Sequence, residues 1–333
     1  MTKPLVICLT PVKNEAWILD RFLKCASLWA DHIIIADQGS DDGSREIALR
    51  YPKVILIEND SLVFNEPERQ KLLISAARCI KGQKILIALD ADEMLSANFM
   101  SSLEWETVAQ SAPGTIITFN WVNIRDDFTY WTCNADRPFG FCDDGSEHSG
   151  PLIHSPRIPM PVHASFLKLK DIKVLHYQYS DWERMKSKHR WYQCWERINH
   201  PERRPIDIFR QYHHMYAVPK KEIQSVPLHW LHDYEAEGID MTNIGQNSWY
   251  RWDKDVLELF AEHGVEKFSK EAIWDVDWNA IKEKVGLDIQ LSSIDDPRNW
   301  IDRLIHKWLL KSQPYSQSRL IRIVDSKVQL FGW

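Results

Sequence analysis

Ile85-Leu86-Ile87-Ala88-Leu89 runs directly into Asp90-Ala91-Asp92-Glu93. Five consecutive apolar residues predict a short strand buried on both faces. Three acids in the next four positions stand at its carboxyl end, where open α/β sheets bind ligands. Two carboxylates one residue apart in a turning segment can reach one side of a site. Hard divalent cations, Mg²⁺ or Mn²⁺, take such oxygen ligands and bridge them to phosphates. Read alone, the stretch is equally well a solvated acidic turn, so its neighbours decide.

Upstream, Leu5-Val6-Ile7-Cys8-Leu9 and His32-Ile33-Ile34-Ile35-Ala36 have the same buried-strand pattern, and Val54–Ile57 is a third strand. Between them, Ala16–Ala30 carries Trp17, Ile18, Phe22, Cys25, Leu28 and Trp29 at helical spacing, Ser44–Tyr51 opens a second helix and Glu66–Ile80 a third. A β-α-β-α-β-α-β order with connections of this length predicts a parallel, Rossmann-like sheet with helices on both faces. Three polar loops, Thr10–Glu15, Asp37–Ser44 and Asp90–Glu93, each follow a strand, so they gather on one sheet edge as a polar crevice. The chain lacks Gly-x-Gly-x-x-Gly and Gly-x-x-x-x-Gly-Lys-Ser/Thr, which argues against a dinucleotide fold site and a P-loop. Asp37 is placed to accept from a ribose or base edge, with turn formation as its structural alternative. For Asp42, N-cap chemistry weighs as much as binding.

The 333 residues suffice for one large α/β domain with an extension. A net charge of −6 argues against non-specific nucleic-acid binding. The apolar run Leu5–Leu9 is too short for a signal peptide, and no apolar stretch has the roughly 18 residues of a spanning helix. Six scattered cysteines without Cys-x-x-Cys point to a reducing cytoplasm. Most of the 16 tryptophans follow residue 100, which separates the two halves in character.

Thr10-Pro11-Val12-Lys13-Asn14-Glu15, Asp37-Gln38-Gly39-Ser40-Asp41-Asp42-Gly43-Ser44, Glu68-Arg69-Gln70 and Leu89-Asp90-Ala91-Asp92-Glu93 together resemble, in order and spacing, the successive motifs of bacterial family 2 glycosyltransferases with the GT-A fold. The resemblance covers roughly residues 3–110. It implies a metal-dependent, inverting hexosyltransferase of glycan biosynthesis. The donor would be a nucleotide-diphosphate sugar, a UDP-sugar first, and the cofactor Mn²⁺ or Mg²⁺. Carried over by position, Thr10, Pro11, Val12, Glu15, Asp37 and Gln38 would meet the nucleoside. Arg69 would lie near the phosphates or orient the acidic loop. Asp90 and Ala91 would meet the ribose or sugar, and Asp92, in the DxD motif Asp90-Ala91-Asp92, would ligate the metal. Gln38 departs from a common second Asp, and Gln70 from a common Asn.

Thr115–Ile124 predicts another strand, and residues 125–165 read as an irregular acceptor-side loop. The short strand Ile172–Tyr177 ends in His176, which similar enzymes use as a further metal or diphosphate ligand; a core or capping histidine is the alternative. Inverting transfer needs a base for the acceptor hydroxyl. Asp126, Asp127, Asp143, Asp144, Glu147 and His154 are eligible, with Asp144 favoured and Glu147 next; where relatives carry an acid after a His, near Ile153-His154, this chain has Ser155.

Residues 1–180 therefore read as the catalytic domain and 181–333 as a mainly helical, Trp-rich extension, its stretches Trp249–Phe260 and Ala272–Val285 being amphipathic. His213-His214 and His229/His232 suggest zinc but are better read as structural. The helix at Trp300–Leu309 has basic flanks, which fits peripheral contact with the inner face of a membrane, packing onto the body, or a homodimer. The acceptor implied by the resemblance is a glycan, lipid-linked or other. Two rival readings are a nucleotidyltransferase, disfavoured by the lack of a Gly-rich triphosphate loop, and a non-catalytic carbohydrate-binding protein.

Overall fold

The computed structural model describes residues 3–60, 65–152, 154–245, 247, 249–287, 293–330 and 332–333. Met1–Ser180 with Gln224–Gly245 form one compact unit, and Asp181–Ile223 with Gln246–Trp333 a second.

The first unit contains β1 (Leu5–Val12), α1 (Ala16–Ser27), β2 (His32–Asp37), α2 (Ser44–Leu49), β3 (Val54–Glu58), α3 (Glu66–Arg78) and β4 (Lys84–Ala88). It continues through β5 (Glu93–Leu95), α4 (Leu103–Ala109), β6 (Ile116–Arg125), β7 (Thr129–Cys142) and β8 (Phe166–Tyr179). The sheet order is β3-β2-β1-β4-β7-β6-β8-β5. Strands β3, β2, β1 and β4 are mutually parallel. Beyond them β7 is antiparallel to both β4 and β6, and β8 is parallel to β6.

The apolar runs are explained by burial on both sides. Val6, Cys8, Ile33, Ile35, Ile85 and Ile87 pack on one face with Ile18, Leu19, Phe22 and Leu23 of α1. The alternate residues Ile7, Leu9, Ile34, Ala36, Leu86 and Ala88 pack on the other with Leu73, Ile74 and Ala77 of α3. A strand between two apolar layers has no polar phase, so its sequence is continuous rather than alternating.

The expected loop over 125–165 is corrected by β7. Residues 129–142 form a 14-residue strand that returns along β6 and β4. Pro138 and Gly140 hide it in the sequence. Pro138 lies at the register shift between Ile117 and Thr118, where a missing donor is tolerated. A Cβ on Gly140 would sit 2.9 Å from Ile117 Cβ, so the strand takes glycine there.

The second unit is helical: α5 (Trp182–Asn199), α6 (Pro205–Tyr212), α8 (Arg251–His263), α9 (Trp278–Val285), α10 (Trp300–Ser312) and α11 (Arg319–Gln329). A two-residue strand, β9 (Gln224–Ser225), and α7 (His232–Ala236) fall within the first unit. Helix α9 is shorter than the apolar pattern from Ala272 suggests, because Asp277 accepts from the backbone of Asn279 and Ala280 and caps it there. Several tryptophans serve the core: Trp252, Trp274 and Trp278 are buried.

Glu271 makes this unit sensitive to pH. Burial pushes its carboxyl up to about 7, with Arg197 Nε at 2.6 Å opposing the shift. Its Oε2 is buried without a hydrogen-bond partner among the described residues, as suits a protonated acid. The unfolded group, with a value of 4.5, releases its proton earlier as pH rises. Across that window the folded state binds more protons, so this contribution to stability falls with rising pH. Glu271→Gln should flatten the slope by on the order of 1 kcal/mol per pH unit, read from urea midpoints across the window.

Candidate active site

Strand directions put the carboxyl ends of β1, β2, β3, β4, β6 and β8 on one edge. The first two polar loops are tied together there. Asn14 N donates to Ser40 Oγ at 2.9 Å, and Asn14 Nδ2 donates to Asp41 Oδ1 at 2.8 Å. Asp41 N returns a bond to Asn14 Oδ1, and Glu15 N donates to Ser44 Oγ, both at 2.9 Å. Asn14 reaches these partners with φ 56°, which its short polar side chain tolerates. Asp42 accepts from Ala16 N at 2.9 Å and from Ser44 N at 3.0 Å, so it serves turn and helix start.

Asp37 closes β2 at 1% exposure. Its Oδ2 accepts from Arg45 Nη1 at 2.8 Å and Ser40 N at 3.2 Å. Its Oδ1 is buried without a hydrogen-bond partner among the described residues. An unsatisfied buried carboxylate oxygen is costly, and it leaves Asp37 with unused acceptor capacity at this edge. Thr10 and Val12 are buried nearby on β1, and Pro11 is half-buried. Gln38 N bonds Val12 O at 2.9 Å. Glu15 accepts from Trp17 Nε1 at 2.7 Å, which ties it to its own helix. Arg69 is half-buried near the start of α3.

The acidic loop splits into two roles. Glu93, fully buried, accepts from Asp90 N at 2.9 Å and pairs with Arg157. Arg157 Nη2 also reaches Asp90 Oδ2 at 2.7 Å, and its guanidinium lies 4.9 Å from the Phe139 ring centre. Burial pushes the Glu93 carboxyl up to about 7, with Arg157 holding it down. Ala91 is buried between them in sequence. Asp92 faces elsewhere: its Oδ2 lies 3.7 Å from His176 Nε2. The strand pairing Glu93↔His176 between β5 and β8 brings these side chains together. His176 Nδ1 is 2.9 Å from Asn123 Oδ1, and its ring stacks on Trp121 with centroids 4.6 Å apart. An Nδ1–H donated to Asn123 leaves the Nε2 lone pair facing Asp92. Such an orienting partner is what a metal-ligating histidine uses.

Among the described residues no group of three or more His, Cys, Asp or Glu side chains could by itself hold a metal. Asp92 and His176 still supply one oxygen and one nitrogen donor in a buried, oriented pair. That set suits an ion whose other positions are filled by substrate phosphates and water.

Asp144 and Glu147 are not part of this cluster. Asp143 N bonds Lys84 O at 3.0 Å, at the amino end of β4, and Arg78 at the end of α3 pairs with Asp143 at 2.8 Å. Burial pushes the Asp144 carboxyl up, but its hydrogen bonds with Ser146, including Ser146 N to Oδ1 at 2.8 Å, and the nearby Arg78 together hold it below the usual carboxylate range. Strand β7 thus delivers Asp144 and Glu147 to the sheet edge opposite Asp92, and the choice of either as base is corrected on that ground. Ser155 N donates to Glu66 Oε2 at 2.7 Å; residue 153 lies outside the described residues. Asp126 and Asp127 sit in the β6–β7 hairpin on the same edge as Asp92, with Asp127 accepting from Thr129.

These positions set the chain beside known proteins. Residues 7–131 match the glycosyl transferase family 2 model. The family 2 match supports a glycosyltransferase-type function and contains every motif loop of the edge. No curated protein sequence matches the chain. Solved structures similar to it include glucosyl-3-phosphoglycerate synthase from Mycobacterium tuberculosis with Mn²⁺, uridine diphosphate and phosphoglyceric acid, 15% identical at a TM-score of 0.28. The match covers 35% of this chain and 43% of that one, less than half its length. A second is 4-diphosphocytidyl-2C-methyl-D-erythritol synthase, 14% identical at TM-score 0.27, covering 36% of this chain and 61% of that one. At these scores neither carries chemistry across to the family 2 region.

Sequence reasoning missed Arg157, Asn123 and Trp121. Asn123 had a signal, a polar residue inside an apolar strand run. Removing its oxygen should loosen His176: Asn123→Ala is expected to weaken Mn²⁺ affinity about 10–100-fold, measured by calorimetry with nucleotide present.

The second unit holds a cavity of about 410 Å³ lined in part by His189, His213, His306, Arg190 and Trp274. His189 and His213 bond the Tyr212 and Phe209 carbonyls through Nδ1 at 2.9 and 3.0 Å. Burial lowers the pKa of both and keeps them neutral. His229 and His232 are exposed. None of these histidines belongs to a metal-holding group among the described residues.

Proposed function

We propose that the chain is a metal-dependent, inverting glycosyltransferase that moves a sugar from a nucleotide-diphosphate donor, a UDP-sugar first, to a hydroxyl of a glycan, lipid-linked or other acceptor. The observation that carries this reading is the buried Asp92–His176 pair on the same sheet edge as Asp37, whose open acceptor oxygen suits a base N–H or ribose hydroxyl.

Asp37 with the tied loops would seat the nucleoside. Asp92 and His176 would hold Mn²⁺ or Mg²⁺, which neutralises charge on the departing diphosphate when bound. Asn123 and Trp121 fix the imidazole. Arg157 fixes Asp90 and Glu93, so the loop that carries Asp92 keeps its shape. Asp127 is held by Thr129, and its neighbour Asp126, one of the eligible carboxylates of that edge, would accept the acceptor proton. Residues 1–180 and 224–245 are the catalytic body in this reading.

The test is thermal stabilisation and donor turnover with a panel of nucleotide sugars and Mn²⁺. A UDP-sugar should stabilise the chain only with metal. Turnover of a nucleoside triphosphate with a sugar phosphate, and of no nucleotide sugar, would instead establish a nucleotidyltransferase. Binding of a free glycan with no nucleotide effect at all would leave the non-catalytic reading.

A further inference from the structure

Helices α10 and α11 leave many large apolar side chains in solvent. Trp300 is 74% exposed, Leu304 59%, Leu320 77% and Leu330 84%, with Ile301 and Ile323 at 46% each. They fall in stripes. Trp300, Leu304, Lys307 and Lys311 share one face of α10 at i, i+4, i+7 and i+11, and Leu320, Ile323, Lys327 and Leu330 share one face of α11. Scattered exposed leucines need no explanation, but contiguous helical stripes do.

The charges on these helices are one-sided. Residues 300–330 carry Arg303, Lys307, Lys311, Arg319, Arg322 and Lys327 against two acids, Asp302 and Asp325, in a chain of net charge −6. Both acids are buried and committed. Asp302 accepts from Asn299 N at 3.1 Å in the capping box of α10. Asp325 takes Arg210 Nη2 on both oxygens at 3.0 Å. The solvent side of both helices is therefore apolar and cationic, with no carboxylate of its own among the described residues; Asp296, ahead of α10, pairs with Arg303 at 3.5 Å. A protein partner with an acidic face would suit the cations, and a second copy would suit the apolar stripes. A second copy would also set the cations of one face against those of its mate. An anionic lipid surface accepts both features together: apolar side chains enter the acyl boundary while lysines and arginines reach lipid phosphates.

We infer that the α10–α11 face docks on the surface of an anionic phospholipid bilayer. No helix among the described residues is long and apolar enough to cross one, so attachment is peripheral and reversible. The inference stands apart from the transferase reading, since its measurement contains no donor or acceptor.

The experiment is co-sedimentation of the full chain with vesicles of phosphatidylcholine alone and of an equimolar mixture with phosphatidylglycerol. Binding is expected only with the mixture, and it should weaken as salt rises. Leu304→Glu with Ile323→Glu should abolish it, while circular dichroism and the melting temperature stay as in the parent, because both sites are exposed. Lys307→Gln and Lys311→Gln should each lower partitioning roughly fivefold. Equal binding to both vesicles, no binding, or binding indifferent to these variants overturns the proposal. So does a dimer in solution that Leu304→Glu converts to monomer, since a second copy would then own the face.

Discussion

Asp92→Asn should lower kcat/KM by at least about 100-fold while leaving the fold intact. The substitution keeps shape and removes charge at a side chain whose Oδ2 is 3.7 Å from His176 Nε2. A group acting only on the leaving diphosphate would lose kcat and kcat/KM together. The control is the circular dichroism spectrum and the ligand-free melting temperature, which should match the parent. A variant that keeps full turnover and parent metal dependence would remove Asp92 from the site and the metal reading with it.

Arg157→Ala has the largest expected effect on stability, about 3–5 kcal/mol. The cause is what it leaves behind. Glu93 is fully buried, and Arg157 is its cationic partner; Asp90 takes the second arm of the same guanidinium at 2.7 Å. Taking away one partner strands a buried carboxyl, whereas replacing both is far milder. Arg157→Met combined with Glu93→Gln should therefore recover most of a loss of roughly 10 °C in melting temperature. A double variant no better than the single would show that Arg157 acts through its contact with Phe139 instead. Activity separates the roles further: a recovered melting temperature with low turnover would mean that the pair also sets the position of Asp92.

Much of this edge was legible because a parallel sheet writes itself plainly. Strands buried on both faces appear as unbroken apolar runs, and the loops after them collect on one side by topology. Asp37 and Asp92 stand on the edge where that logic puts them, whereas His176 came from the resemblance. The antiparallel half does not read the same way. β7 carries Pro138 and Gly140, each allowed by a local feature of its partner strand that has no trace in the chain itself. With β7 unread, residues 125–165 form a single acceptor-side loop that includes Asp144 and Glu147; the strand instead carries Asp144 to the end of the sheet where Arg78 pairs with Asp143. Arg157 was hidden for another reason. Its partners lie 64 and 67 residues upstream, and no local pattern announces an ion pair across that distance.

The ties between Asn14, Ser40, Asp41 and Ser44 have a kinetic consequence. Each bond joins protein groups alone, so in the proposed reading the nucleoside floor would hold its shape without help from the donor. A preorganised floor loses little conformational freedom on binding, and association should then be limited by encounter rather than by loop folding. Donor capture would be a single fast phase, its rate scaling linearly with concentration. Cutting the ties, as in Asn14→Ala, should bend that line into saturation as ordering becomes a step of its own.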